Sequence, residues 1–422
     1  MAQYCPLMAE SGNSSNAGRV AFTYPDFSLY QLARFLIVAG LEMQSVAVGW
    51  QIYEITKRPL DLGLVGLAQF SPGILLFLAT GHAADTFNRR KLLMTCYAGF
   101  GVCSGLLLFY ALSGLRTVLP MYAVVVLLGV VRSFNNPASR SLLPQIIPEE
   151  HLQNAIAWNS SVNQGGTILG PSLGGLIYAV AKGPAAVYTA AMLAAAGATF
   201  LMSLVTLHTK ARPREPLTWK SVLAGLRYIR RTKIILGSIS LDLFAVLLGG
   251  AVALLPVFAS EVLRTGPWGL GLLRASPAIG AGSMALLLAH RPFRSRAGLT
   301  MLWCVGGFGA FTVLFGISRS LVLSMAALIL VGSMDMVSVV VRSTLVQLAT
   351  PDEMRGRVSA VEMIFIGASN EIGQFESGIT AQWFGAVPAV IMGGVGTLLI
   401  TALWAWNFPE LRRVERLGSL RP

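Results

Sequence analysis

Gly66-Leu67-Ala68-Gln69-Phe70-Ser71-Pro72 recurs 205 positions later as Gly271-Leu272-Leu273-Arg274-Ala275-Ser276-Pro277, and this repetition decides the plan of the chain. A second, similar offset of 203 aligns Pro148-Glu149-Glu150 with Pro351-Asp352-Glu353, Gly129 with Gly332, Gly170 with Gly373 and Gly175 with Gly378. Chance matching of glycine-rich apolar sequence is the alternative, and agreement in two separate places counts against it. In an apolar chain, two such halves imply parallel repeats related by an axis along the membrane normal, with a site at midplane between them.

Composition agrees. Of 422 residues, 54% are hydrophobic and 12% charged, about half the charged share of a soluble domain. A soluble globule is excluded, and so are fibrous and disordered classes, because the 44 glycines follow no collagen-like period. About 20 apolar residues span a bilayer. Runs bounded by Pro, Gly and charge predict twelve spans near 28–54, 62–80, 92–112, 118–140, 154–180, 185–207, 234–258, 267–289, 299–317, 321–346, 359–381 and 386–407. The expected fold is therefore all-α and polytopic, with two pseudo-symmetric six-helix halves. Its parts are an N-terminal tail (1–27), a first half (28–207), a linker (208–233), a second half (234–408) and a C-terminal tail (409–422).

The net charge of +13 does not indicate nucleic-acid binding, since basic residues cluster between apolar runs without interleaved aromatics. With the N-terminus inside, the inner segments hold 22 Lys and Arg, the outer loops six, and the remaining four arginines lie within spans. That bias predicts both termini in the cytoplasm. The opening 26 residues are polar and show no signal-peptide pattern, so the first span is expected to act as the insertion signal. In the linker, Trp219, Val222, Leu223, Leu226 and Ile229 share one helical face, with Lys220, Arg227 and Arg231 on another. Such a helix suits either the anionic membrane surface or a seat on the bundle.

A charge within a span costs roughly 2.5 to 3.5 kcal/mol on insertion scales and needs a partner or a wet cavity. Arg34 and Glu42 lie in the first span, Arg132 in the fourth, Asp242 in the seventh, Asp335 and Arg342 in the tenth, and Glu362, Glu371 and Glu376 in the eleventh. The 203 offset equates Arg132 with Asp335, which predicts a cation and an acid facing each other across the central cavity. Glu42 and Glu371 are the other acids that could meet Arg132. Glu362 and Glu371 are nine residues apart, on opposite helix faces. Glu362 is expected near the inner mouth, paired with Arg355 or Arg357, while Asn370, Glu371 and Gln374 lie deeper. For Glu42 and Glu371 a proton- or substrate-linked role competes with a structural ion pair, and for Asp242 and Glu376 the structural role leads. Gln44, Asn135, Asn136, Asn159, Asn163 and Gln164 offer hydrogen bonds to a substrate or between helices. Gly166, Gly170 and Gly174 make a small-residue face in the fifth span, beside Pro171.

Catalytic, nucleotide-binding and metal motifs are missing from the sequence. There is no G-x-x-x-x-G-K-[ST] and no H-E-x-x-H, and Cys5, Cys96, Cys103 and Cys304 have no ligand spacing. An enzyme or ATP-driven pump is not expected, and no cofactor beyond a proton gradient is called for.

Gly81-His82-Ala83-Ala84-Asp85-Thr86-Phe87-Asn88-Arg89-Arg90-Lys91 resembles the cytoplasmic loop motif of the major facilitator superfamily. Asn154-Ala155-Ile156-Ala157-Trp158-Asn159-Ser160, Gly170-Pro171-Ser172-Leu173-Gly174-Gly175 and Pro351-Asp352-Glu353-Met354-Arg355-Gly356-Arg357-Val358 resemble its enterobactin-exporter-like branch, the transmembrane secretion effectors. The resemblance covers residues 28–410. It implies that Gly81, Asp85, Arg89 and Arg90 belong to a conformational gate, that Arg132 occupies the fourth-span position linked to proton coupling, and that Gly170-Pro171 matches an exporter motif. Thr86 and Asn88 depart from the usual basic residue and glycine, and the second-half copy near His290–Gly298 lacks the Asp. The function so implied is proton-coupled export of a siderophore-like or amphipathic small molecule by a monomer in the bilayer. Macrolide-type drugs and lysophospholipids are the other transport substrates, and a non-transporting receptor or assembly factor is the alternative outside transport.

Overall fold

The computed structural model describes residues 17–207, 219–290 and 296–413, apart from a few side chains that include that of Asp85. The sequence expectations for 1–16, 208–218, 291–295 and 414–422 fall outside the described residues.

The first half comprises α1 (Pro25–Thr56), α2 (Pro59–Leu75), α3 (Phe77–Thr86), α4 (Arg89–Leu112), α5 (Leu119–Ile146), α6 (Leu152–Ala181) and α7 (Ala185–Leu204). After the linker helix α8 (Trp219–Arg231) comes α9 (Lys233–Leu248), which continues through a 3-10 turn (Ala251–Leu254), α10 (Leu255–Val257) and a π turn (Phe258–Val262). Then follow α11 (Gly266–His290), α12 (Ala297–Ile317), α13 (Leu321–Leu348), α14 (Asp352–Phe384), α15 (Ala386–Asn407) and the short α16 (Pro409–Arg412). Every expected apolar run coincides with a helical segment, and α2 with α3 forms the second, broken at Leu76. Pro72 and Gly73 loosen the ladder just before that break.

Local chemistry sets many of the helix ends. Proline occupies the first turn of α1, α2 and α5, where its missing N–H costs no helical bond. Lys57 and Lys182 end α1 and α6 in the left-handed region, at φ 53° and 54°, each placing a cation at the negative end of the helix dipole. Asn88, the departure from the usual loop glycine, caps α4 by accepting from the Lys91 backbone N–H at 3.2 Å.

Among the described residues, nine helical segments are long and apolar enough to cross a membrane. The second falls short because the break at Leu76 divides it into α2 of 17 and α3 of 10 residues, whereas the fifth and eleventh, α6 and α14, are long enough and fall short by composition. Those same helices join the halves, since α2 packs on α14 and α6 on α11. Helices that face protein or a cavity can carry polar residues that lipid would not tolerate. Outward faces are the reverse, with Phe109 72%, Leu119 77% and Trp406 78% exposed, as a hydrocarbon surround allows.

The repeat has a structural meaning. A Cβ at Gly129 would meet the Gln69 carbonyl and Pro72, and one at Gly332 would meet the Pro277 backbone. Both glycines let a helix close onto the proline-bearing helix of its own half, so the two offsets describe one contact made twice. The face Gly166, Gly170 and Gly174 packs on α1 at Val38, Ala39, Glu42 and Met43, while neighbouring Gly175 meets Pro267 and Gly271 of α11 across the halves.

For α8 the seat on the bundle holds. Val222 and Ile229 are buried with Ile235, Ile239, Val346, Val358 and Val361, and Tyr228 donates to the Ala349 carbonyl at 2.9 Å. Val222, Leu226 and Ile229 of the apolar face are thus covered by α9 and α14, while Leu223 stays 58% exposed.

Candidate functional site

At the end of the bundle opposite the chain termini the halves approach closely, Gly63 against Gly378 and Gly175 against Gly271. There Tyr53, near the end of α1, donates a short hydrogen bond to Glu261 of the π turn. Beside it Tyr178 donates to Glu54 at 3.0 Å and Tyr188 to Gln51 at 2.7 Å. From the middle of α5 toward the end that carries the termini, the face that bears Arg132, Asn136 and Arg140 stays exposed, and Arg140 reaches Met363 of α14. Tyr53→Phe removes one bond that closes the far end. A cysteine placed at Gln374 should then react two- to fivefold faster with a thiol reagent supplied from that side, as about 0.5 to 1 kcal/mol of lost closure implies.

Between these ends a polar cluster joins both halves. Arg274 of α11 lies 3.9 Å from Glu42 of α1 and donates to Ser45 Oγ at 2.6 Å. On α14, Gln374 Nε2 donates to Glu371 Oε2 at 2.9 Å, and both side chains lie against Gly66 of α2. The cations in electrostatic reach of Glu371 are Arg132 and Arg274. Two acids and two arginines thus lie within electrostatic reach of one another, drawn from α1 and α5 of one half and α11 and α14 of the other. Such a cluster can hold a polar or charged substrate group at midplane and can exchange its internal partners for that group as the halves move.

Arg274 is the member that the intramembrane charges weighed above do not include. Its signal is present in the repeat, where it replaces Gln69, but an arginine at the end of a helical turn in an apolar run is indistinguishable by sequence from one that snorkels.

Other candidates are placed elsewhere. Asp335 does not face Arg132: its charged neighbours are Asp242 and Arg342, and it lines a small cavity with Ala245, Val246, Val305 and Phe308. Arg342, two turns along α13 on nearly the same face, is bonded to Asp242 and 3.5 Å from Glu362, and it turns that face into the second half. Arg132, on the matching helix, has no such anchor among the described residues and is exposed. Glu362 therefore pairs with Arg342 in place of Arg355 or Arg357, and Arg355 instead meets Asp352 at 2.6 Å.

Gln44 is buried and accepts from Ser104 of α4, which takes it out of the cavity. Asn370 donates to its own helix at Ile366 O, 2.8 Å. Arg34 is held within the first half by Ser139 and by Asn163 at 3.2 Å, and Asn135 Oδ1 is buried without a hydrogen-bond partner among the described residues. Glu376 accepts from Thr380 at 2.8 Å. Gly81 lies on α3 with open space around it, Arg89 donates to Ser141 O at 3.5 Å, and Arg90 donates to Met202 O at 3.2 Å and to Ser203 O.

The model of the family described as "transmembrane secretion effector" matches residues 21–419. Enterobactin exporters EntS of Shigella boydii serotype 18 and of Escherichia coli O139:H28 are each 29% identical over 405 residues, 93% of this chain and 94% of the relative. Among solved structures, a bacterial homologue of the human lysosomal transporter Spinster superposes with a TM-score of 0.68 at 13% identity, covering 92% of this chain and 98% of that one. A bacterial homologue of the iron transporter ferroportin gives 0.67 at 16% identity, covering 90% and 98%. The architecture of two joined halves is thus shared with transporters, and the sequence match runs nearly end to end: the chain belongs to the transmembrane secretion effector family of major facilitator transporters and is a multi-pass membrane transporter, not an enzyme.

Proposed function

We propose that this transporter sits in the inner membrane with both termini in the cytoplasm and exports a siderophore-like or amphipathic small molecule by alternating access, driven by proton antiport. One observation carries the reading. The cluster of Glu42, Arg274, Glu371, Gln374 and Arg132 joins the two halves, so a ligand that competes for its charges is bound to the elements that must separate. The loop charge bias makes the loosely closed end cytoplasmic, the side from which an export substrate enters. The enterobactin exporters among its relatives supply the substrate class, an oxygen-rich molecule whose hydroxyls and carbonyls suit arginine and glutamine donors.

The test is uptake of enterobactin into inverted vesicles under an imposed pH gradient, with lysophospholipid and a macrolide as parallel probes. Accumulation of enterobactin above that of vesicles lacking the protein, abolished when the gradient is collapsed, is the expected result. Gradient-dependent movement of only a parallel probe replaces the substrate class, and movement of none overturns the export reading.

Orientation has its own test. In intact cells a cysteine at Arg264 should react with a membrane-impermeant thiol reagent, and one at Glu353, exposed at the opposite end, should react only after the membrane is opened. The reverse pattern rejects the topology.

A further inference from the structure

The second half holds a charged cluster separate from the one that joins the halves. Arg342 is 3% exposed; its Nη1 is bonded to Asp242 and its Nε lies 3.5 Å from Glu362 Oε1. Asp335, seven residues before Arg342, adds a third carboxyl, with Asp242 and Arg342 as its charged neighbours. Among the described residues no further charge lines the cavity, to which α12 contributes Val305 and Phe308, both apolar. Three carboxylates around one guanidinium would leave two negative charges in excess in a poorly solvated interior, so the cluster is best satisfied when it holds a proton.

An independent feature points to the same ligand. Asp242, Asp335 and Ser338 line a cavity of about 10 Å³, the size of a single water site. Ser338 is 2% exposed and its Oγ has no hydrogen-bond partner. A buried hydroxyl left unbonded beside two carboxyls is suited to a water through which a proton moves.

We propose that Asp335 is the proton carrier of this transporter, served by a water under Ser338 and kept apart from the substrate cluster. Asp242 remains the fixed partner of Arg342, while Asp335 alternates between carboxylate and carboxylic acid, gaining and losing one O–H bond with no other bond changed. Coupling runs along α14, which carries Glu362 against Arg342 and, nine residues on, Glu371 in the substrate cluster. A ligand that shifts α14 changes how far Glu362 neutralises Arg342, and so whether Asp335 keeps its proton.

The assignment rests on the proton-coupled reading above, and its first test needs no substrate. Infrared spectra of the purified transporter at neutral pH should show the C=O stretch of a protonated carboxyl that Asp335→Asn removes and Asp335→Glu moves to the position of a glutamic acid. A band unaltered by both substitutions overturns the proposal. Should Asp335→Asn fail to fold, the shift or constancy of the band in Asp335→Glu decides. In vesicles probed with enterobactin, Asp335→Asn should lose about tenfold or more of gradient-driven accumulation and keep exchange without a gradient within about twofold of wild type. Full accumulation by a folded Asp335→Asn protein also overturns it. If wild-type vesicles move no enterobactin, the substrate reading falls and the spectroscopic result still decides.

Discussion

Arg274→Ala should reduce gradient-driven export by on the order of 100-fold, because about 3 kcal/mol is lost when a partly buried acid is stripped of its cation. Glu42 loses its partner at 3.9 Å and Ser45 its donor at 2.6 Å, and Glu371 keeps Arg132 alone among the cations within reach. Accumulation of enterobactin in inverted vesicles is the measurement, with the melting temperature as a check on folding. Arg274→Lys restores charge but not the two-pronged reach to Glu42 and Ser45, so it should recover only part of the activity. Wild-type accumulation by folded Arg274→Ala protein would remove the cluster from the transport site and leave Arg274 as a tie between α1 and α11.

Asp242→Ala should produce the largest loss of stability, because Arg342 is 3% exposed and cannot turn to water when its close partner is removed. Breaking a buried pair on one side costs about 3 to 5 kcal/mol, read as a marked fall in melting temperature in detergent. Glu362 at 3.5 Å offsets part of the loss. Asp242→Asn retains an acceptor for the guanidinium and should cost less than alanine. A melting temperature unchanged by Asp242→Ala would show that Asp335 or Glu362 replaces the missing partner.

Much of the architecture is legible without coordinates. A span must satisfy its backbone internally and present apolar side chains outward over a length set by the bilayer, so composition and run length place helices to within a few residues. The ends of α12 and α15 match the expectation almost residue for residue because Arg296, Ser318, Gly385 and Phe408 stop them. Extension of α14 back to Asp352 was less visible, since a polar first turn beyond the membrane leaves no mark in hydropathy. The second span was recognisable by its apolar run although it is broken at Leu76 into helices of 17 and 10 residues; α6 and α14 were recognisable by length and flanking charge, and their packing across the halves is a tertiary fact.

What the sequence determined by itself is the all-helical membrane fold, the division into two related halves, the equivalence of Gly129 with Gly332 in the repeat, and the set of costly intramembrane charges from which any site must be built. Helix rotation decided how those charges are distributed. Arg132 and Asp335 occupy equivalent repeat positions, yet Arg342 anchors on Asp242 and turns Asp335 into the second half, while Arg132 stays exposed within electrostatic reach of Glu371. Glu362 and Glu371, on one helix, go to different clusters for the same reason. A repeat equates depth along the membrane normal; azimuth follows from which side chain finds a buried partner, and that depends on residues 100 or more positions away.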